Sequence, residues 1–286
     1  MEAQSESRTG APAGGEGEGA QSEAVRRPML APRVVRWALS FPASFFREIG
    51  EIVLLGGRTL LWAVRPPYRL RLLLSAMAFT GVGSLFIIGL TGLFTGMVLA
   101  LQAVYSLRFF GAEGAVGGGV ALSLTREISP VFTGLMMTAR VSSSTATELG
   151  TMRVTDQIDA LATMGVNPVH YLVVPRVVAG AIMGPILCAV FTFVGMAGAY
   201  LVAVVWMDVD PGQFMDKINR WVVPGDFYEG LFKACVFGVM TTLVACHKGY
   251  GAAGGAAGVG QATTRAVVIG SVSILVADYF MTAAML

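Results

Sequence analysis

Charge is scarce in this sequence of 286 residues: Asp, Glu, Lys and Arg together make up 13% of it. An average soluble domain carries about 25% of such residues, so an ordinary soluble fold is disfavoured. The net charge is only +2, which provides no electrostatic footprint for nucleic-acid binding.

Residues that carry chemistry are also few. The sequence has two His and three Cys residues, and none of them falls in a CxxC or zinc-site spacing. HExxH and GxSxG motifs are absent. A Gly-rich stretch at residues 251–260 lacks the Lys that a phosphate-binding loop needs. We therefore expect no metal site, no cofactor and no ATP hydrolysis by this chain itself.

Apolar residues, by contrast, make up 55% of the sequence, and Gly contributes 36 residues. The few charges are clustered, which leaves several uncharged runs long enough to cross a hydrocarbon layer of ~30 Å. Abundant Gly suits membrane helices that pack closely. The sequence thus predicts an all-α integral membrane protein.

The N-terminal part is predicted to lie outside the hydrocarbon layer. Residues 1–30 are rich in Gly, Ala, Ser and Glu, so we expect a disordered cytoplasmic leader, and they lack the pattern of a signal peptide. Residues 31–67 combine Arg with periodic aromatic and aliphatic residues, as an interfacial amphipathic helix does. The alternative is a short span at residues 49–64, which Glu51 and Arg58 disfavour.

Residues 68–286 are predicted to form a transmembrane domain with five spans. We expect these spans at residues 81–104, 120–149, 173–206, 227–246 and 266–286. Lys and Arg are more numerous on the side that receives the N-terminus, so the N-terminus is expected in the cytoplasm. Five crossings then place the C-terminus on the outer side.

Ionisable residues inside the predicted spans are the first candidate site. Arg126, Glu127, Lys233 and Asp278 come from three spans and fall at similar depth in the outer half. Charges in a span are costly and tend to face a cavity or a partner. Two interpretations stay open: structural pairing of Lys233 with Asp278 and of Arg126 with Glu127 or a neighbour, or a polar rim for a lipid headgroup.

Small residues in the first two spans predict close helix packing. Gly92 and Gly96 form a GxxxG spacing in the first span. Ser143 lies within residues 139–147 of the second span, which are almost entirely small or hydroxylated. Such a segment suits tight packing or the wall of a polar cavity.

A short amphipathic helix is predicted between the second and third spans. Thr155 can cap it and Asp156 lies in its first turn, where a negative charge is favourable. Its apolar face is expected to consist of Ile158, Leu161 and Ala162. The helix is either a simple interfacial connector or a docking helix for a cytoplasmic partner.

Two segments resemble the MlaE/YrbE permease family. They are TGLFTGMVLALQ at residues 91–102 and, with much higher specificity, REISPVFTGLMMTARVSSSTATELGTMRVTDQIDALATMGVNP at residues 126–168. The resemblance extends from about Arg33 onward and leaves out the N-terminal leader.

The resemblance implies a bacterial inner-membrane permease that acts as a homodimer. Each copy would bind a cytoplasmic ATPase (MlaF-like), which binds the ATP, often with a STAS-domain subunit (MlaB-like), beneath a periplasmic MCE-domain protein (MlaD-like). Such complexes move phospholipids or related lipids and maintain outer-membrane lipid asymmetry. The first, second and fifth spans would line the lipid cavity, with Arg126 and Glu127 near it.

The resemblance also implies that residues 148–165 contain the coupling helix that sits in the ATPase. The candidate coupling residues are Glu148, Arg153, Thr155, Asp156, Ile158, Asp159, Leu161 and Met164. Two other functions remain as alternatives. An ion-coupled secondary transporter would show internal repeats, and none is evident. A non-transporting membrane anchor would not need a second span so rich in charge.

Overall fold

The computed structural model describes residues 31–63 and 70–285, with side chains described from residue 47 onward. Every regular element in these residues is a helix, which confirms the predicted all-α class. The predicted leader at residues 1–30 and the predicted break at Pro66 and Pro67 lie outside the described residues.

The chain divides into two compact units, residues 1–47 and residues 48–286. Helix α1 (Ala31–Ala63) is described on both sides of this boundary. The described part of the second unit contains ten further α-helices: α2 (Leu70–Thr80), α3 (Val82–Arg108), α4 (Val116–Ser123), α5 (Ser129–Met137), α6 (Ser143–Val154), α7 (Gln157–Thr163), α8 (Val174–Tyr200), α9 (Pro211–Trp221), α10 (Pro224–Tyr250) and α11 (Gly255–Met285).

Several of these helices are joined by π-helical segments rather than by loops. The first to fourth π-helical segments are Leu124–Ile128, Thr138–Ser142, Val169–Val173 and Leu201–Trp206. The first two join α4, α5 and α6 into one helical path over residues 116–154. Because a π-helical turn inserts an extra residue, it redirects the side chains around it and often marks a functional site.

Among the described residues, four helical stretches are long and apolar enough to cross a membrane. They are Leu70–Arg108, Val169–Trp206, Pro224–Tyr250 and Gly255–Met285. They contain the predicted first, third and fourth spans and the fifth up to Met285. The first and fifth begin 11 residues earlier than predicted because α2 and the start of α11 extend them. Neither α1 nor residues 116–154 meets the same criteria, so the second span stays a prediction.

Helix α8 is the centre of the bundle and packs against α3 on one side and α10 on the other. Glycines make both contacts close. A Cβ built on Gly96 would lie 1.9 Å from the carbonyl oxygen of Gly195, and one on Gly92 would lie 3.0 Å from that of Phe191. On the other side, a Cβ on Gly238 would lie 2.3 Å from the carbonyl oxygen of Gly180.

The part of α1 beyond residue 47 contacts the end of α10. Glu48 forms an ion pair with Lys248, and the Glu51 carboxylate lies 3.7 Å from His247 Nε2. Large apolar side chains elsewhere on this helix are exposed, namely Val53, Leu54, Leu60 and Leu61. An exposed apolar face on a helix with charged residues suits the predicted interfacial position.

Candidate functional site

A cluster of charged side chains joins the first π-helical segment, α10 and α11. Lys233 Nζ donates hydrogen bonds to Glu127 Oε1 at 2.8 Å and to Thr282 Oγ1 at 2.7 Å. It also donates to the carbonyl oxygen of Arg126 at 3.2 Å, and it lies 3.4 Å from Asp278 Oδ1. The structure therefore brings together Glu127, Lys233 and Asp278, three of the four charges that the sequence placed at similar depth.

The cluster carries one positive and two negative charges on residues that the surrounding helices hold in place. The Lys233 side chain is only 3% exposed, whereas that of Glu127 is 40% exposed. Burial of a charged group is costly unless the group is paired and hydrogen-bonded, and Lys233 has both kinds of partner. Glu127 is thus the member of the cluster that a molecule outside the helix bundle can reach.

Arg126 pairs with Asp226 and lies outside the Lys233 ion pairs. Its Nη2 lies 2.6 Å from Asp226 Oδ1, and its Nε donates to the same oxygen at 2.7 Å. Of the two partners that structural pairing allowed for Arg126, Glu127 or a neighbour, the structure gives a neighbour, because consecutive residues of a helical turn point to different sides. Asp226 is buried, and its other oxygen accepts a hydrogen bond from the Val223 backbone N–H at the start of α10.

The second candidate site is α7, at the other end of the bundle. α7 begins after Asp156, which has a positive φ of 57°. The prediction that Thr155 caps the helix is wrong: its hydroxyl donates to the carbonyl oxygen of Thr151, since Thr155 ends α6. The turn is closed by an ion pair of 2.5 Å between Arg153 Nη1 and Asp159 Oδ1.

One face of α7 packs on the bundle itself. Ile158 is 1% exposed, and Leu161 packs with it against a cluster that includes Leu149, Leu172 and Cys246. The apolar face that the sequence suggested for docking a partner is therefore buried against the bundle of this chain. Ala162, expected on the same face, is exposed, so that part of the prediction is wrong.

The opposite face of α7 is exposed and mixed in character. Its exposed residues are Gln157, Asp159, Ala160, Thr163 and, directly after the helix, Met164. The Met164 residue is 68% exposed. An exposed Met suits a protein contact because its side chain is flexible and polarisable.

An ion pair connects the two chain segments on either side of α7. Arg176 Nη2 on α8 lies 2.8 Å from Glu148 Oε1 on α6. The predicted packing residue Ser143 donates to the Ala139 carbonyl oxygen of its own helix, at 2.5 Å. It is Ser142 that donates to another helix, to the carbonyl oxygen of Thr241 on α10 at 3.0 Å.

The sequence is similar to known membrane proteins over nearly its whole described length. The family model described as "Permease MlaE" matches residues 73–284. This chain belongs to the MlaE permease family. Both the charged cluster and α7 lie within the matched residues.

Relatives of this MlaE-family chain include bacterial and plastid proteins. A "Probable ABC transporter permease protein" of Rickettsia conorii is 40% identical over 239 residues, 84% of this chain and 92% of the relative. The "Intermembrane phospholipid transport system permease protein MlaE" of Haemophilus influenzae is 39% identical over 85% of this chain and 93% of its own length. The chloroplast protein TRIGALACTOSYLDIACYLGLYCEROL 1 of Arabidopsis thaliana is 34% identical over 84% of this chain and 69% of its own length.

Proposed function

We propose that this chain is the permease subunit of an ABC transporter that moves phospholipids between the bacterial inner membrane and a periplasmic MCE-domain protein. ATP is bound and hydrolysed by a separate cytoplasmic subunit (MlaF-like), so the chain has no catalytic residue and needs no cofactor. The observation that carries the proposal is α7, a helix with one face fixed to the bundle and the other exposed.

The packing of α7 provides a route for mechanical coupling. Ile158 and Leu161 belong to one packed cluster with residues of α6, the third π-helical segment and α10, so displacement of α7 would be transmitted to packed helices. α6 continues through α5 to the first π-helical segment, which contains Glu127. Closure of the ATPase is therefore coupled to the charged cluster along one helical path.

The charged cluster supports a lipid as the transported molecule. Charges within a membrane domain are costly and mark sites that meet polar ligands or partners. Glu127 offers a carboxylate that is both anchored by Lys233 and exposed. The exposed apolar residues of α11, including Val272, Leu275 and Val276, provide walls for acyl chains. The printed name of the Haemophilus relative, a phospholipid transport permease, favours phospholipids.

The proposed assembly follows from the family. Two copies of the chain form a homodimer, each bound to an ATPase through α7, with an MCE-domain protein (MlaD-like) on the periplasmic face. A STAS-domain subunit (MlaB-like) joins the ATPase. The N-terminus lies in the cytoplasm and the C-terminus in the periplasm, and the transported lipid contributes to outer-membrane lipid asymmetry.

Two alternatives make different predictions for the purified protein. An ion-coupled secondary transporter has no ATPase partner. A membrane anchor that does not transport retains its protein partners but no specific lipid.

Purification of the tagged full-length chain from its native membranes, in a mild detergent, tests the proposal. Mass spectrometry should find an ABC ATPase in equimolar amount, an MCE-domain protein and retained phospholipid. Absence of an ATPase under conditions that preserve the MCE protein would favour the secondary transporter. Presence of both proteins without retained phospholipid would favour the anchor.

A further inference from the structure

A cavity of about 400 Å³ lies between α2, α6 and the start of α8, at the end of the bundle that carries α7. Its volume falls in the range of ~300–1,000 Å³ that is typical of ligand sites. It is separate from the charged cluster, because Glu148 at its rim is 21 residues from Glu127 along the helical path, or about 30 Å.

Most of the cavity wall is apolar. Leu72, Ala76 and Phe79 of α2 form one side, and Val141 and Met152 form the opposite side. These apolar residues favour contact with a hydrocarbon chain. Other residues of α2, Leu70 and Leu74, are more than 60% exposed and face away from the bundle, so the outer surface of this wall also suits lipid.

The charged part of the cavity is an ion pair with two chemically different sides, and the other polar lining residues are uncharged: Ser75, Thr80, Thr145, Tyr171 and Thr242. Arg176 and Glu148 both line it, with Nη2 and Oε1 2.8 Å apart. The Arg176 side chain is 18% exposed and that of Glu148 is 56% exposed. A guanidinium binds a phosphate group with two parallel hydrogen bonds, whereas a carboxylate attracts an ammonium group. Together they match a headgroup that carries both charges.

We propose that this cavity binds one zwitterionic phospholipid, with its phosphate on Arg176, its ammonium on Glu148 and an acyl chain between α2 and α6. When the headgroup binds, the ion pair between Arg176 and Glu148 is replaced by two others, phosphate with Arg176 and ammonium with Glu148. Neither side chain is then left unpaired. Charge complementarity selects this occupant over an anionic lipid, which Glu148 repels.

Occupancy of this site is coupled to α7 through the cavity wall. Met152 lies on α6, before α7, while Tyr171 and Leu172 lie in the third π-helical segment, after it. A bound lipid therefore contacts both chain segments that carry α7. Binding of a lipid from the adjacent leaflet would therefore affect the position of α7, the proposed coupling helix.

The wall formed by α2 is a short helix that packs on α8 and continues after Gly81 into α3. α2 ends at Thr80, and its last turn is held by Arg140, whose Nη1 donates to the Phe79 carbonyl oxygen at 3.0 Å and to Ser84 Oγ at 3.1 Å.

Photolabelling of the full-length protein in nanodiscs tests the proposal. The probe is phosphatidylethanolamine with a photoactivatable acyl chain, compared with phosphatidylglycerol and diacylglycerol that carry the same chain. Labelled peptides are mapped by mass spectrometry. We expect labels on residues 72–79 and 141–152, and about tenfold less labelling there by diacylglycerol, since the two charge-assisted contacts are lost. Equal labelling by diacylglycerol, or stronger labelling by phosphatidylglycerol, would overturn the proposal.

One matched pair of variants and one charge variant test the site further. Ala76→Phe fills the cavity, whereas Ala78→Phe makes the same change at an exposed position of the same helix. Only Ala76→Phe should remove the labels. Glu148→Gln should reduce the preference for phosphatidylethanolamine over phosphatidylglycerol, and equal preference in wild type and variant would contradict the role of Glu148. The assay uses no nucleotide and no ATPase, so a negative result would refute this lipid site without refuting the proposed transport function.

Discussion

Lys233 on α10 and Glu127 on the first π-helical segment form an ion pair of 2.8 Å, in which the lysine side chain is 3% exposed. Because Lys233 also contacts Asp278 and Thr282, it joins three helical elements through one ammonium group. Lys233 is thus the structural centre of the cluster, and Glu127 is its accessible member.

Replacement of Lys233 by Met should destabilise the protein more than replacement of Glu127 by Gln. Lys233→Met leaves Glu127 and Asp278 without their cation, a loss of about 3 kcal/mol for a broken buried pair. Glu127→Gln keeps a hydrogen-bond acceptor and should cost about 1 kcal/mol. Thermal unfolding in detergent measures both values.

The control for this comparison is Arg220→Met, which removes an exposed pair with Asp216 and should change stability by less than about 1 kcal/mol. If Lys233→Met and Arg220→Met lowered the unfolding temperature equally, the cluster would not hold the helices together.

Asp226 should make two separable contributions to stability. Asp226→Asn keeps an oxygen for the Val223 N–H but weakens the pair with Arg126, whereas Asp226→Ala loses both contacts. We expect a loss of about 1 kcal/mol for Asn and about twice that for Ala. Thermal unfolding of the three proteins gives the order, and an Asn variant as unstable as the Ala variant would contradict the role at the start of α10.

The contact between α3 and α8 should not tolerate a side chain at Gly96. A Cβ there would lie 1.9 Å from the Gly195 carbonyl oxygen, while Gly89 on the same helix has nothing within 4 Å of such an atom. Gly96→Ala should therefore lose about 1–3 kcal/mol by overpacking, and Gly89→Ala should be neutral or slightly stabilising. The unfolding temperatures of both variants in one detergent check this difference, which a Gly96→Ala protein as stable as wild type would contradict.

Loss of the Glu127 charge should slow lipid transfer without breaking up the complex. Glu127→Gln keeps the shape and the contact with Thr282 but removes the exposed negative charge, so we expect transfer to fall by about tenfold, the loss of one charge-assisted contact. Transfer of fluorescent phospholipid to the MCE protein measures the rate. Glu113→Gln, at an exposed pair with Arg108, is the matched control, and wild-type transfer in Glu127→Gln would leave the charge a purely structural role.

Hydrophobicity and spacing predicted much of this architecture. Of the five spans predicted from uncharged runs, four correspond to the membrane-crossing stretches among the described residues. Length and apolar composition suffice for this prediction because they determine whether a helix can span a membrane. Counting at 1.5 Å per residue also placed Lys233 and Asp278 at one depth, which their contact in the structure matches.

Other features depend on tertiary contacts that no local pattern contains. The pairing of Arg126 with Asp226 joins residues 100 positions apart. The apolar face of α7 predicted a contact surface, but the bundle itself occupies that surface, and only the fold reveals this. Thr282 was missed, although its position four residues after Asp278 puts both on one face of α11.

In the proposed complex the exposed face of α7 receives the ATPase, and Met164 tests this contact more directly than Leu161, which packs on the bundle. The decisive measurement is the amount of ATPase that co-purifies with the Met164→Glu variant and with the Met215→Glu variant. Met215 lies on α9 and is 50% exposed. We predict that Met164→Glu inserts normally but loses the ATPase, whereas Met215→Glu retains it in equimolar amount. Equimolar ATPase on both variants would contradict the assignment of α7 as the coupling helix.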